Sequence, residues 1–265
     1  MHQSYVNPVP VSTVWFRKTL FAVMTLLGLC SVVWAQDQFV FPIEGERARV
    51  SFMKGEVTRR SDPAAEWTFL TLEDFVQAGE RVKTMKGARL ELQLPDTSVI
   101  RFEEESDVRL IKAGYQPAQG KRDVQFSLLL GKTWANVQQA FGRNDGVQVE
   151  TNNAVVGVRG TVFRMNVAPD KSVMVRVYSG RVTVSKPYRV AGPVEVGTKV
   201  REIPGPERVA GPRRVTEEEW IRIVEAMQQI TVDSKGIPSK PRDFTMEEDL
   251  NDWVQWNLER DRQLR

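Results

Sequence analysis

The chain has 265 residues, of which 41% are hydrophobic and 27% charged, enough for one sizeable globular domain and an appendage. The formal charge is +3, but Arg17 and Lys18 lie in an N-terminal leader, and without them 35 basic residues face 34 acidic ones. The bases are dispersed and no stripe of them alternates with aromatics, so the charge gives no case for a nucleic-acid partner.

The leader has the layout of an export signal. Arg17-Lys18 form a short positive flank, Thr19 to Trp34 is an apolar run, and Val33-Trp34-Ala35 supplies Val at −3 and Ala at −1 for cleavage before Gln36. Residues 1–35 are therefore expected to be a cleavable signal peptide, and the mature protein periplasmic or secreted. The apolar run is slightly short for a membrane span of about 20 residues. An uncleaved N-terminal anchor is the alternative, and would be the chain's one link to a membrane. Cys30 raises lipidation, although Leu29 stands where a small residue is expected before a lipidated cysteine.

The sole cysteine, Cys30, and the sole histidine, His2, both fall in the leader. The mature chain then has no thiol for a disulfide and none of the usual soft ligands for structural zinc. Ser-His-Asp and Cys-His nucleophile systems are excluded with them. Acid–base work would fall to carboxylates, Lys or Tyr.

Beyond the leader the chain reads as β-structure. Phe39, Val40, Phe41 and Ile43 suggest a lead-in strand, and Gly55-Glu56-Val57-Thr58 reads as a turn into a strand. Ser61-Asp62-Pro63 breaks it, and Ala78-Gly79-Glu80-Arg81-Val82-Lys83-Thr84 is another turn and strand. Ala88, Leu90, Leu92 and Leu94 alternate with Arg89, Glu91 and Gln93, which predicts one buried and one wet face. Pro95 to Ser98 makes a hairpin turn, Ile100 and Phe102 carry the return strand, and Val108 and Leu110 another. Gly114 to Asp123 reads as a mobile loop, Val124 to Gln139 as a further strand region, and Phe141 to Gly146 as a turn cluster.

Thr151 to Ser185 is nearly pure strand, with a change of phase inside it. Val156 and Val158 share one parity, while Phe163, Met165 and Val167 share the other. A bulge or sharp bend at Gly160-Thr161 is the expected remedy, since a one-residue slip turns every later side chain to the opposite face. There is also a faint echo: Gly55-Glu-Val-Thr is followed by Gly79-Glu-Arg-Val, and Gly180-Arg-Val-Thr by Gly197-Thr-Lys-Val, each a turn glycine feeding a short strand.

From Arg201 to Arg214 proline and glycine dominate, as in a semi-stiff linker. Two helices are then predicted. Thr216 with Glu219 forms a capping box ahead of Trp220, Ile223, Val224, Met227 and Ile230 at helical spacing. Thr245 with Glu248 forms a second, ahead of Leu250, Trp253, Val254 and Leu258. The apolar stripes either pack within the fold or dock a partner through Trp220 or Trp253.

Candidate chemistry is thin. Glu103, Glu104, Glu105 and Asp107 form an acidic spot without the glycine spacing of a calcium loop. Glu91, Glu103 and Asp107 are conceivable members of a carboxylate pair. Trp67, Trp134 and Trp220 could line a sugar or peptide site, but their settings suit a core first. Arg159 could grip a carboxylate, or, with Gly160 and Thr161, tie down the bend. No phosphate-cradling loop or nucleotide fingerprint occurs.

Gly55-Glu-Val, Ala78-Gly-Glu-Arg-Val-Lys-Thr, Ala88-Arg-Leu-Glu-Leu, Leu94-Pro-Asp-Thr-Ser-Val-Ile-Arg-Phe, Val155-Val-Gly-Val-Arg-Gly-Thr-Val-Phe and Tyr178-Ser-Gly-Arg-Val-Thr-Val together resemble the FecR domain. The resemblance runs over about residues 50–185, and its most specific part is Val158 to Phe163. Asp96-Thr97-Ser98 stands where the family usually shows Asp-Gly-Ser. The resemblance implies an all-β domain with a sensing or protein-interaction role and no catalytic residues. The family's regulators carry a cytoplasmic anti-sigma segment before a membrane helix; only 18 residues precede the apolar run here, too few for a folded domain, so a stand-alone exported module is expected.

The reading is thus mainly β: an antiparallel β-sandwich or β-roll-like FecR domain followed by two C-terminal amphipathic α-helices. The divisions are 1–35 signal peptide, 36–200 β-domain, 201–214 linker and 215–265 helical tail. The expected function is non-enzymatic binding, signalling or scaffolding in the cell envelope, with no cofactor or metal. The expected partner is another envelope protein or a second copy, and Arg159, Gly160, Thr161, Trp220 and Trp253 are the candidate structural or interaction residues. A carbohydrate-processing or polysaccharide-binding protein using carboxylates and tryptophans is the alternative.

Overall fold

The computed structural model describes residues 46–116, 121–139, 146–187 and 220–264. The expected signal peptide, the strand around Phe39 to Ile43, the linker and the Thr216–Glu219 capping box lie outside them. In chain order come β1 (Arg47–Lys54), β2 (Val57–Arg60), β3 (Thr68–Phe69), β4 (Phe75–Gln77) and β5 (Arg81–Thr84). A hairpin of β6 (Arg89–Gln93) and β7 (Val99–Phe102) precedes a long one of β8 (Asp107–Gln116) and β9 (Lys121–Asn136). Next are β10 (Gly146–Glu150), β11 (Val155–Val158), β12 (Val162–Val167), β13 (Val173–Ser179) and β14 (Arg181–Ser185). The C-terminal part holds β15 (Ile221–Glu225), β16 (Gln228–Val232), β17 (Arg242–Asp243), α1 (Met246–Asp249) and α2 (Asp252–Gln263).

These strands make two sheets. The helix-side sheet runs β4-β1-β6-β7-β9-β12-β13-β16-β17. The other, the open sheet, runs β3-β2-β5-β8-β9-β10-β11-β14-β15. Among the described strands only β9 belongs to both. Its first half pairs with β8 and β10, and its last six residues pair with β7 and β12. The bend falls at Gly131, whose φ is +100°. A Cβ there would lie 2.5 Å from the Cα of Ser106, so both the backbone angle and the close approach demand glycine. The strand pairs are antiparallel, as expected, except β9 with β10, which are parallel.

Passage from sheet to sheet follows one rule. Each fully described corner that joins a strand of one sheet to its successor in the other holds a residue with positive φ: Gly55, Glu73, Gly79, Gly87, Glu105, Gly160, Gly180 or Met227. The sequence echo has its explanation here. Gly55 and Gly180, with φ of +73° and +81°, both turn the chain from the helix-side sheet into the open sheet. The phase change at Gly160 has the same cause. Val156 and Val158 face the core from the open sheet, while Phe163, Met165 and Val167 face it from the helix-side sheet, and all are buried. Changing sheets reverses which face points inward, so the hydrophobic parity must reverse with it. A register shift against β13 between Val162 and Phe163 completes the corner.

The core lies between the sheets, with Val50, Leu90, Leu92, Phe102, Phe163 and Met165 on one side and Val82, Leu110, Phe126, Leu128, Val156 and Val184 on the other. Two sequence expectations are corrected. Gly114–Gln116 and Lys121–Asp123 are strand rather than loop, because Gly114↔Asp123, Tyr115↔Arg122 and Gln116↔Lys121 continue the β8–β9 ladder. The segment after Trp220 is the hairpin β15–β16 rather than a helix. Its helical spacing was real, but Ile221, Ile223, Val224, Ile230 and Val232 are β-branched, and β14 and β13 offer edges for them to extend. Val224, Ile230 and Val232 enter the core, and Met227 turns the corner.

The second predicted helix forms, in two pieces. Thr245 accepts from the Glu248 amide and the Glu248 side chain returns to the Thr245 amide, which makes the capping box. The helix stops at Leu250, which adopts an extended conformation and is 57% exposed. Asn251 then caps α2 by accepting from the Val254 amide at 3.1 Å. The two C-terminal helices are thus both drawn from the single predicted stretch after Thr245.

Candidate functional site

Charge alternates with apolar residues along the strands of the helix-side sheet, and register lines the charges up. Phe52, Glu91, Arg101, Trp134, Arg164, Arg176 and Gln229 are successive cross-strand partners on β1, β6, β7, β9, β12, β13 and β16. They form one row on the face away from the main core. The expectation that Glu91 faces water fails here: Glu91, Arg101, Trp134 and Arg164 are all buried, because α1 and α2 cover the row.

The helices answer the row with opposite charge. Arg101 donates from Nε to Glu91 at 2.5 Å and from Nη1 to Asp261 of α2 at 2.6 Å. Asp261 also accepts the indole N–H of Trp134 at 3.0 Å. Asp249, at the end of α1, accepts from Arg164, Arg176 and the Tyr178 hydroxyl. Arg260 of α2 reaches Glu91 with two bonds of 3.0 Å. Arg89 pairs with Asp252 and lies 4.9 Å from the ring of Trp256, which itself sits 5.3 Å from Phe52. Trp253 and Val254 close a small second core against Trp134.

Burial disfavours the Glu91 carboxylate, but the Arg260 hydrogen bond, the Arg101 charge and the Arg101 and Ser51 hydrogen bonds outweigh it and hold its pKa down to about 2. Tyr178 is pushed well above the ordinary phenol value, first by burial and then by its hydrogen bond to Asp249, with Arg164 and Arg176 opposing. Two polar groups of this interface lack partners among the described residues: Nη2 of Arg101 and Nε1 of Trp253.

The open sheet presents a different face. Gly146 and Gly157, on adjacent β10 and β11, leave two positions of its surface without side chains. A trough of about 780 Å³ lies over them, flanked by Gln125, Gln148, Arg159 and Arg181. Arg159 and Arg181 are exposed. Beyond it lies β15, which pairs among the described residues with β14 alone. Its Ile221 and Ile223 are 64% and 55% exposed.

The sequence candidates fall at different places. Arg159, Gly160 and Thr161 occupy one corner. Thr161 is buried and donates its hydroxyl to the carbonyls of Arg181 at 2.9 Å and Arg159 at 3.2 Å, while its backbone exchanges two bonds with Val137. Gly160 has φ +60°, and a Cβ there would come within 3.0 Å of the Gln139 backbone. Trp220 donates to the Gly236 carbonyl at 3.2 Å and packs on the main core. Trp253 lies at the helix-covered face, together with Trp134 and Glu91. The carboxylates weighed as catalytic are each held by cations: Glu91 by Arg101 and Arg260, Glu103 by Lys132, and Asp107 by Arg81 and Lys83. Among the described residues no group of His, Cys, Asp or Glu is arranged to hold a metal ion. Sequence reasoning missed Arg101, Arg164, Arg176, Asp249 and Asp261. A signal existed, since Trp134 and Tyr178 share the parity of the charged positions, and large aromatics on a supposedly wet face point to a cover.

The geometry defines a mainly β, two-sheet protein whose corners serve architecture and whose outer faces carry the unassigned chemistry. Residues 80–183, from β5 into β14, match the family described as FecR protein. The matched segment is narrower than the resemblance read from the sequence. No curated protein matches the chain. Two crystal structures of a "putative anti-sigma factor" from Parabacteroides distasonis ATCC 8503 are similar at 16% and 15% identity, each with a TM-score of 0.43 and each covering 64% of this chain. The chain spans 62% of the length of those proteins.

Proposed function

We propose that this chain is a non-enzymatic binding and signalling module of the cell envelope. The leader supports export, with cleavage before Gln36 and a periplasmic or secreted mature protein. The FecR domain supports a regulatory role. The observation that carries the binding role is β15: a five-residue strand that is an edge among the described residues, with two outward isoleucines, beside β14, whose Arg181 and Thr183 line the trough. Such an edge offers unpaired backbone amides and carbonyls to a partner strand, and apolar side chains for its specificity. The partner is another envelope protein that adds an extended segment along β15.

A photo-crosslinking residue at Ile223 in the exported protein tests this. One envelope protein captured reproducibly, through an extended segment, is the expected result. Capture of nothing, or only of a second copy, removes the reading. Fractionation with N-terminal sequencing tests export: a mature chain starting at Gln36 is expected, and a chain retained in the cytoplasm would end the envelope assignment.

A further inference from the structure

We infer that the outer face of the helix-side sheet is a binding site for an acidic amphipathic helix of a partner protein, and that α1–α2 is its tethered resident. This goes beyond the edge-strand reading and does not depend on it.

The row Glu91, Arg101, Trp134, Arg164 and Arg176 lies wholly within the FecR-matched residues 80–183. The segment that covers it lies outside them, at residues 246–263. The row falls in the matched segment, whereas the cover, joined to β17 through Phe244 and Thr245, falls outside it. Recognition is by charge: Asp249 faces Arg164 and Arg176, Asp252 faces Arg89, and Asp261 faces Arg101. Arginines taken out of water need carboxylates, so whatever replaces the resident must bring them on a face that also carries aromatic or aliphatic residues for Trp134 and Phe52.

The resident does not saturate the site. Arg101 is fully buried, yet its Nη2 has no partner among the described residues. A buried, unfilled guanidinium nitrogen is costly, and a helix offering one more acceptor there would out-compete the present occupant. Exchange requires the resident to open without the sheets unfolding, as a local unit held to the sheet by ion pairs and by a small apolar cluster separate from the main core.

The experiment uses the full chain and a fluorescent synthetic peptide of residues 245–264. In the Asp249→Asn/Asp261→Asn protein the resident is weakened, and the peptide is expected to bind at least tenfold more tightly than to the wild type. A peptide with the same two acids changed to amides is expected not to bind. Equal binding of both peptides, or no binding to a variant whose α2 amides have lost hydrogen-exchange protection, overturns the proposal. Should the double variant fail to fold, wild-type hydrogen exchange decides. Residues 252–263 opening before β12 and β13 supports exchange, and exchange only through global unfolding sinks it. Dimers crosslinked solely between α2 of one copy and the row of another would assign the face to self-exchange and overturn the partner reading.

Discussion

On the helix-side sheet, outward arginines of β7, β12 and β13 are removed from water and matched to carboxylates of two short helices. On the open sheet, outward Arg159 and Arg181 stay at the surface beside two bare glycines and an apolar edge. The strands on both sheets alternate in the same way, and both inner faces feed one core. What differs is whether a later segment of chain supplies a cover. A cover over charge has to bring countercharge, which makes the first face specific. The second face, uncovered among the described residues, has no such requirement.

The sharpest break comes from Asp249. Replacing it with alanine strands Arg164 and Arg176 in a buried setting, and loss of one partner of such a group costs about 3–5 kcal/mol. Chemical denaturation is expected to show that loss for Asp249→Ala. The matching cut on the other face, Arg181→Ala, is expected to stay within about 0.5 kcal/mol, as exposed substitutions usually do. Comparable losses at the two positions would erase the distinction.

Acid attacks the helix-covered face. Glu91 has a folded pKa near 2, below its ordinary 4.5, so its contribution is complete above the ordinary value and is lost as pH falls toward 2. A shift of that size corresponds to about 3 kcal/mol of stability. Denaturation midpoints measured between pH 6 and pH 2 are expected to fall in the wild type. They should fall less in Glu91→Gln, which starts lower and has no charge there to lose. An unchanged slope in the variant would show that Glu91 is not the group responsible.

Asp249 and Glu91 also mark the limit of what local sequence can reveal. The β-class, the hairpin turn between β6 and β7, the corner at Gly160 and the capping box at Thr245 were legible, because each rests on local pattern: parity, turn residues, or a pair three residues apart. The cover was not. Nothing local to Arg101 says that Asp261, 160 residues later, will sit on it. The hairpin β15–β16 was hidden for a related reason: Trp220 to Ile230 fits a helix by spacing, and only the waiting edges of β14 and β13 make it sheet. Local propensity yields where a tertiary partner offers a full ladder.

A smaller lever loosens the cover without touching the charges. Thr245→Ala removes the hydroxyl that accepts from Glu248, and loss of such a cap typically costs about 1 kcal/mol. Because α1 is one turn long and carries Asp249, the loss should concentrate at the helix-covered face. Faster hydrogen exchange in α2, with β10 and β11 unchanged, is the expected signature. Uniform acceleration across both sheets would mean that the cover and the core open together.

The smallest effect on stability should accompany the largest effect on binding. Ile223 projects from β15 into solvent, so Ile223→Lys removes little buried surface and should change stability by less than about 0.5 kcal/mol. A lysine on an edge strand nonetheless discourages strand addition, since a partner segment would have to pass beside an unpaired, strongly hydrated charge. Capture of the envelope partner from a crosslinker placed at Ile221 is therefore expected to disappear in Ile223→Lys and to persist in Asp249→Ala, where the other face is broken. The reverse pattern would move the binding surface to the opposite side of the molecule. It would mean that the covered row, rather than the open edge, is what the chain presents to its partner.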